Sequence, residues 1–146
     1  MTEVAFHFNA PDKLAYACRL LRKATGTGAQ LVVTAEARML QELDAALWSL
    51  APHEFVAHCM QGCPDAVWQR SPVVLAALMQ DTPHHQVLVN LGQDVPDGFS
   101  RFERLIEVVS AGDEADILAA RVRWKHYKDR GYALVRHDLG PKKVQP

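Results

Sequence analysis

Three short segments of this chain are apolar at nearly every position and rich in β-branched residues. They are Leu31-Val32-Val33, Val87-Leu88-Val89-Asn90-Leu91 and Leu105-Ile106-Glu107-Val108-Val109. A strand with a continuous apolar run is typical of a sheet that is covered on both faces, and such sheets are mostly parallel. The segments therefore predict an α/β domain, a three-layer sandwich with a mainly parallel sheet and helices on both faces.

Between the predicted strands, the spacing of apolar residues predicts three helices. The first follows Asn9 or Asp12, either of which can cap it, and the second covers residues 34–50. The last helix begins near Asp113 and ends at Gly131. Glycine suits that position because the residue after a helix often adopts a left-handed conformation.

The remaining segments complete the predicted domain. An alternating apolar pattern at residues 4–8 predicts an opening strand. Residues 59–71 are predicted to be a loop, and residues 73–78 are ambiguous between a buried strand and a short helix. Because no linker or second core is evident, we expect one domain at residues 1–140, followed by a flexible tail at residues 141–146.

Positive charge is concentrated near the C-terminal end of the chain. Residues 119–146 contain eight Lys or Arg and two Asp, a charge of +6, whereas residues 1–118 carry −7. The run from Arg121 to Gly131 interleaves five cations with two large aromatic residues. Cations beside flat rings suit a ligand that is both anionic and aromatic, such as single-stranded nucleic acid or an acidic peptide with an aromatic anchor.

The last helix can pack on the sheet in two ways. In the first arrangement a stripe of small and aliphatic residues contacts the sheet, and Ile117 and Trp124 face outward between cations. This first stripe consists of Ala115, Leu118, Ala119 and Val122. In the second arrangement the aromatic residues belong to the core and the cations form a solvated rim. This second stripe consists of Ile117, Ala120, Trp124 and Tyr127. The spacing slightly favours the second arrangement.

Candidate metal and catalytic motifs are incomplete. Cys59 and Cys63 have the spacing of half a structural zinc site, but with three cysteines in the chain there is no second pair. The run Thr25-Gly26-Thr27-Gly28 follows a helix, whereas a dinucleotide-binding loop follows a strand and opens a helix. No nucleophile-elbow motif occurs. The sequence therefore predicts no metal, no cofactor and no catalytic residue.

Three motifs occur in order along the chain. They are Leu43-Asp44-x-Ala46-Leu47-Trp48, Phe55-Val56-x-His58 and Arg121-x-x-Trp124-Lys125-x-Tyr127-x-x-x-Gly131-Tyr132. Together with the opening strand and helix, the overall length and the order of elements, they resemble the chi subunit of bacterial DNA polymerase III holoenzyme. The resemblance covers most of the chain.

The resemblance implies a non-catalytic accessory subunit of the clamp-loader assembly. Chi subunits have a Rossmann-like α/β fold without a nucleotide site. They bind the acidic C-terminal tail of single-stranded DNA-binding protein, which ends in a Pro-Phe carboxylate, and thereby bridge that protein to the polymerase. They also bind the psi subunit of the clamp loader, so psi is expected as a second partner.

The resemblance also implies the residues of the peptide-binding site. By motif position, the tail-binding residues correspond to Arg121, Trp124 and Lys125. Arg121 is the best donor for a terminal carboxylate, because a guanidinium forms paired, charge-assisted hydrogen bonds. Ile117 stands where a relative can have Lys, and with Trp124 it could wall an apolar slot for the terminal Phe. Lys128 could replace the missing cation from the next helical turn.

Two other functions remain open from the sequence. The same helix could bind single-stranded nucleic acid directly, although the near-zero net charge argues against it, so only weak or indirect nucleic-acid contact is expected. A small enzyme with a nucleotide at the carboxyl ends of the strands is the other. No apolar run approaches the roughly 20 residues that span a bilayer, and the N-terminus does not resemble a signal peptide. We therefore expect a cytoplasmic protein with no membrane contact.

Overall fold

The computed structural model of this chain describes residues 1–140. Within that range seven strands form one sheet, and every neighbouring pair is parallel. The strands are β1 (Glu3–Ala10), β2 (Leu31–Thr34), β3 (His58–Met60), β4 (Val73–Leu75), β5 (Val87–Asn90), β6 (Arg104–Ser110) and β7 (Leu134–Asp138). Their order across the sheet is β3-β4-β2-β5-β6-β1-β7, so β3 and β7 form its two edges. The predicted tail at residues 141–146 lies outside the described residues.

Helices cover both faces of the sheet, which confirms the predicted three-layer α/β sandwich. On one face lie α1 (Lys13–Gly26) and α2 (Ala37–Trp48), and on the other lie α3 (Asp65–Arg70) and α4 (Glu114–Asp129). Within β2, Leu31 and Val33 pack towards α1 and α2, whereas Val32 packs towards α3 and α4. Successive side chains of a strand point to opposite faces, which explains the continuous apolar runs of the central strands.

The predicted start of α1 and both predicted ends of α4 are confirmed, whereas α2 (Ala37–Trp48) is shorter than the helix predicted at residues 34–50. The Asp12 carboxylate caps α1 by accepting a hydrogen bond of 3.1 Å from the Ala15 N–H. Asp113 caps α4 in the same way, with 3.1 Å to the Asp116 N–H. Gly131 follows α4 with φ of +79°, a left-handed conformation that glycine adopts without steric penalty.

The prediction of a loop at residues 59–71 is wrong, because this segment contains most of β3 and all of α3. The helix α3 has six residues, too few for helical spacing to be recognised in the sequence. It is held by Trp68, which is buried and donates a hydrogen bond of 3.1 Å from Nε1 to the Asp81 carbonyl. In the ambiguous segment 73–78, the first three residues form the buried strand β4.

The first packing arrangement of α4 is wrong. Leu118 and Val122, the largest members of that stripe, are 58% and 70% exposed. The buried positions of α4 are Asp116, Ala120, Arg123 and Tyr127. The helix turns this face inward because the sheet presents the buried carboxylate of Glu107, which needs polar partners. The second arrangement is nearer to the structure, with Ile117 and Trp124 partly buried at the border of the core.

Candidate binding pocket on the α4 face

A buried polar network fixes the rotation of α4 against the sheet. Glu107 Oε2 forms an ion pair of 3.1 Å with Arg123 Nε and accepts a hydrogen bond of 2.5 Å from the Tyr127 hydroxyl. Glu107 Oε1 accepts a hydrogen bond of 2.8 Å from Asn90 Nδ2. Burial raises the pKa of the Glu107 carboxyl, and the charge of Arg123 and these hydrogen bonds oppose that rise. Since a buried charge without a partner is strongly destabilising, α4 has one favourable orientation.

A second buried ion pair holds the beginning of α4. Lys13 Nζ lies 2.8 Å from Asp116 Oδ2 and donates a hydrogen bond of 3.0 Å to the Leu91 carbonyl. Asp116 Oδ2 also accepts a hydrogen bond of 2.8 Å from the Ser110 N–H, at the end of β6. The first turn of α4 is therefore tied to both α1 and the sheet.

A pocket of about 480 Å³ lies between α4 and the ends of β1, β6 and β7. We call it the Trp124 pocket. Its apolar walls are formed by Phe6, Phe8, Val109, Ile117, Ala120 and Trp124. Two arginines line the same space, Arg121 from α4 and Arg136 from β7. The volume lies within the range of about 300–1,000 Å³ that is usual for small-ligand sites.

Trp124 forms one wall of the pocket and is neither fully exposed nor sealed in the core. Its ring contacts Phe6 edge-on, with ring centroids 5.2 Å apart at 66°. The guanidinium carbon of Arg136 lies 5.9 Å from the centre of the same ring. Ile117, one side of the same apolar wall, is likewise partly buried. The two apolar side chains predicted for this site therefore do lie together.

Of the three predicted cations, Arg121 lines the pocket, whereas Lys125 and Lys128 lie outside it. Arg121 is exposed and lines the Trp124 pocket, and it forms no ion pair with any residue in 1–140. Lys125 does not line the pocket, and its Nζ is instead 2.6 Å from Asp129 Oδ2. That hydrogen bond is the main reason why the pKa of Asp129 is lowered. Lys128 is exposed and is also absent from the pocket walls.

Arg136 is a charged pocket residue that was not among the predicted site residues. Residue 136 pairs with Phe6 in the parallel register of β1 and β7, so its side chain lies on the α4 face. Its guanidinium carbon is 4.8 Å from the centre of the Phe8 ring. The alternation of Leu134, Arg136 and Asp138 in the chain after Gly131 is the signal that could have placed it.

Asn9 lines the pocket at an irregularity in β1. The β1–β6 register shifts between His7 and Ala10, and Asn9 has φ of +62°. Asn9 Nδ2 donates a hydrogen bond of 2.9 Å to Asp138 Oδ1, which also accepts one of 2.9 Å from the Gly140 N–H. These bonds are the main reasons why the pKa of Asp138 is lowered. They also attach the end of β7 to the pocket wall.

A second exposed aromatic surface lies near the opposite edge of the sheet. We call it the Trp48 patch; it exposes Trp48 and Phe55, whose rings lie beside the buried side chain of His58. Trp48 and Phe55 are 63% and 45% exposed, and their ring centroids are 5.3 Å apart. The His58 ring lies 5.2 Å from that of Trp48, and its Nε2 is 2.9 Å from Asp44 Oδ1. The motif residues of the middle of the chain thus converge on one surface.

A further pocket of about 490 Å³ lies at the carboxyl ends of β2 and β5, where α/β enzymes bind nucleotides. Its charged lining residues are Glu36, Asp94 and Asp97, and no Lys or Arg of the described residues lines it. A phosphate would meet like charge there, so this pocket gives no support to the enzyme alternative.

Neither a reactive thiol at Cys59 nor a metal site is supported within residues 1–140. Burial raises the pKa of the Cys59 thiol to about 11, which makes it unreactive at neutral pH. Residues 1–140 contain no group of three or more His, Cys, Asp or Glu side chains that could hold a metal ion. No helix in that range combines the length and the apolar character that a membrane span requires.

Comparison with known proteins gives consistent matches. A family model described as DNA polymerase III chi subunit, HolC, matches residues 1–135. The DNA polymerase III subunit chi of Pseudomonas aeruginosa is 32% identical over 144 residues, which cover 95% of this chain and 98% of the relative. The protein of the same name from Haemophilus influenzae is 29% identical over 126 residues, or 85% of each chain.

Proposed function

This chain belongs to the family of DNA polymerase III chi subunits, as its motifs predicted, and from that premise we propose that it links single-stranded DNA-binding protein to the polymerase. The relatives are named as the chi subunit, an accessory subunit and not a catalytic one, which agrees with the prediction of a non-catalytic protein. In the proposed role, the Trp124 pocket binds the acidic C-terminal tail of single-stranded DNA-binding protein.

The observation that carries this proposal is the combination of charge and apolar walls in one pocket. Arg121 offers guanidinium donors that no residue in 1–140 engages in an ion pair. Ile117 and Trp124 wall the neighbouring space. A peptide ending in a Phe carboxylate matches both parts, because the acid can pair with Arg121 while the ring occupies the apolar slot.

In this proposal Lys125 and Lys128 act at longer range. Neither lines the pocket, but both are exposed on the same helix as Arg121. Although Asp129 offsets part of the charge of Lys125, the two lysines together leave a net positive charge, which favours the approach of an acidic tail without contacting its terminus. Their substitution should slow association more than it speeds dissociation.

Bridging requires a second binding surface, and we assign it to the Trp48 patch, with psi or an equivalent clamp-loader subunit as the partner. Trp48 and Phe55 expose large aromatic rings, the residue type that dominates the energetics of protein interfaces. The patch is separated from the Trp124 pocket by the width of the sheet, because β3 and β7 are its opposite edges. Both partners could therefore bind at once.

The tail contact should be weak for one peptide. A small pocket with one or two ion pairs supports a dissociation constant in the micromolar range, about −8 kcal/mol. An oligomeric partner with several tails would raise the effective affinity without any new contact.

The proposal is tested by titrating a fluorescent acidic peptide that ends in Pro-Phe, at low and high salt. We expect micromolar binding that is lost in Arg121→Glu and unchanged in Arg38→Glu, a matched charge reversal on α2. Arg38 is 91% exposed and lies on the other face of the sheet. The same peptide with a C-terminal amide should bind more weakly. Absence of binding at low salt, or equal binding by Arg121→Glu, would contradict the proposal.

The alternative function, direct binding of single-stranded nucleic acid by the same helix, is separated by an oligonucleotide in the same assay. Stacking of bases needs an open ring face, whereas the Trp124 ring has Phe6 and the Arg136 guanidinium beside it. We expect only weak oligonucleotide binding. Tight oligonucleotide binding without peptide binding would favour the alternative.

A further inference from the structure

We propose that Arg136, on the edge strand β7, is the second cation of the Trp124 pocket and reads an acidic side chain of the bound tail, while Arg121 takes the terminal carboxylate. This inference rests on the proposed function and deepens it. Arg136 lies one residue beyond the segment that the family model matches. On α4 itself, Arg121 is the one cation that lines the pocket.

The position of Arg136 leaves its donors free for a ligand. Its guanidinium lies 4.8 Å from the centre of the Phe8 ring and 5.9 Å from that of Trp124. A guanidinium is planar, so its faces can contact aromatic rings while its N–H groups point outward in the plane. Two rings thus hold the group at the pocket without using its hydrogen bonds. No residue in 1–140 forms an ion pair with it.

The neighbouring carboxylate does not neutralise Arg136 by pairing with it. Asp138, two residues further along β7, has its Oδ1 engaged by Asn9 Nδ2 and by the Gly140 N–H, each at 2.9 Å. Among residues 1–140, the charged side chains that line the pocket are therefore Arg121 on α4 and Arg136 on β7. The lining side chains therefore carry a net positive charge, which can bind a second acidic group of the ligand.

Two arginines on different elements imply selection for a ligand with two acids. Arg121 belongs to a helix whose rotation is fixed by buried ion pairs, whereas Arg136 belongs to an edge strand. Because the two groups approach from separate elements, one carboxylate need not satisfy both. We expect a peptide with a terminal carboxylate and upstream Asp residues to use both arginines, and a peptide with only the terminal carboxylate to use Arg121.

The test combines protein and peptide changes in one cycle. Arg136→Ala should weaken binding of the acidic Pro-Phe peptide about tenfold. Replacing the upstream Asp residues of the peptide by Asn should weaken wild-type binding to a similar extent. The same peptide change should have little further effect on Arg136→Ala, because the two groups then act as a pair. Arg136→Lys, which keeps the charge without the planar stacking, should fall in between. Arg38→Ala is the matched control and should bind like the wild type.

The outcomes separate the role of Arg136 from the proposed function. If wild type binds, Arg121→Glu does not, and Arg136→Ala binds like Arg38→Ala, the role of Arg136 is refuted and the proposed function stands. Additive effects of Arg136→Ala and the peptide change would likewise refute the pairing. If the wild-type protein does not bind the peptide at all, both proposals fail together.

Discussion

The Trp124 pocket and the Trp48 patch, two aromatic surfaces of this molecule, differ in shape, exposure and charge. The Trp124 pocket is concave, places its tryptophan partly within the core and adds two arginine side chains. The Trp48 patch exposes the rings of Trp48 and Phe55, and Glu54, the residue before Phe55, is paired with Arg22 at 3.0 Å. A concave, positive site suits a short anionic ligand with one ring. An exposed pair of large aromatic rings suits a larger apolar protein surface.

The ion pairs near the two surfaces also differ, because one is buried and the other is half-exposed. The largest expected effect tests that difference. Arg123→Met would leave the Glu107 carboxylate buried without its cation, which should lower the free energy of unfolding by about 3–5 kcal/mol. Urea denaturation measures the change. Arg22→Ala, which removes the half-exposed pair beside the Trp48 patch, should cost less than about 1 kcal/mol. Equal losses of stability in the two variants would show that the buried network contributes no more to the free energy of unfolding than the half-exposed pair.

Replacing each of the two tryptophans by alanine in turn distinguishes the two binding functions. Trp124→Ala should weaken tail-peptide binding by about 2 kcal/mol and leave psi binding intact, because it removes the wall of the pocket. Trp48→Ala should do the reverse. Isothermal titration calorimetry of both partners with both variants gives the four values. If either substitution weakened both partners equally, the two surfaces would not be independent.

The salt dependence of binding should also differ between the two surfaces, and this effect is expected to be smaller. Raising the salt concentration from 0.05 to 0.5 M should weaken tail binding about tenfold, because exposed ion pairs are screened. Binding at the Trp48 patch should change by less than about twofold, since apolar contact carries little charge. Anisotropy titrations at several salt concentrations measure both slopes. A flat salt dependence for the tail would contradict an arginine-based site.

The smallest expected effect concerns His7, in β1 beside the strand that carries Arg136. Its Nδ1 is hydrogen-bonded to the Tyr16 hydroxyl at 2.5 Å, and burial lowers its pKa from 6.5 to about 4. The unfolded chain therefore binds a proton at a higher pH than the folded one, and stability falls as pH is lowered from 6.5 towards 4. For a partly exposed ring we expect about 1 kcal/mol at pH 5.

The control for this pH effect is His7→Gln, which removes the titrating ring. Urea denaturation at pH 7, 5.5 and 5 should give a smaller loss of stability for the variant than for the wild type. Identical pH profiles would mean that the His7 ring is not held neutral by the fold.

Much of the fold could be predicted because its signals are local. The continuous apolar runs gave the buried strands, and Asp12, Asp113 and Gly131 marked helix ends by their own backbone preferences. The helix α3 was missed because six residues cannot display a helical period. Its stability comes from the burial of Trp68 and not from its sequence pattern.

The site was harder to predict because its geometry depends on distant partners. A charged side chain such as that of Arg123 is expected at the surface. Its pairing with Glu107 on another element is what turns that side of α4 inward. Glu107 was visible as a charge within an apolar run, and that exception was the available clue. Arg136 could not be assigned from the helix motif, because parallel pairing of β7 with β1 brings it to the pocket.

The three tryptophan indoles allow the most direct measurement of the central claim. In a ¹⁵N-labelled sample, the indole N–H signals of Trp48, Trp68 and Trp124 are followed while the acidic Pro-Phe peptide is added. Trp68 Nε1 is hydrogen-bonded inside the protein to the Asp81 carbonyl and serves as an internal reference. We expect the Trp124 signal to shift in a saturable manner while those of Trp48 and Trp68 stay in place. A shift of Trp48 with an unchanged Trp124 would contradict this account.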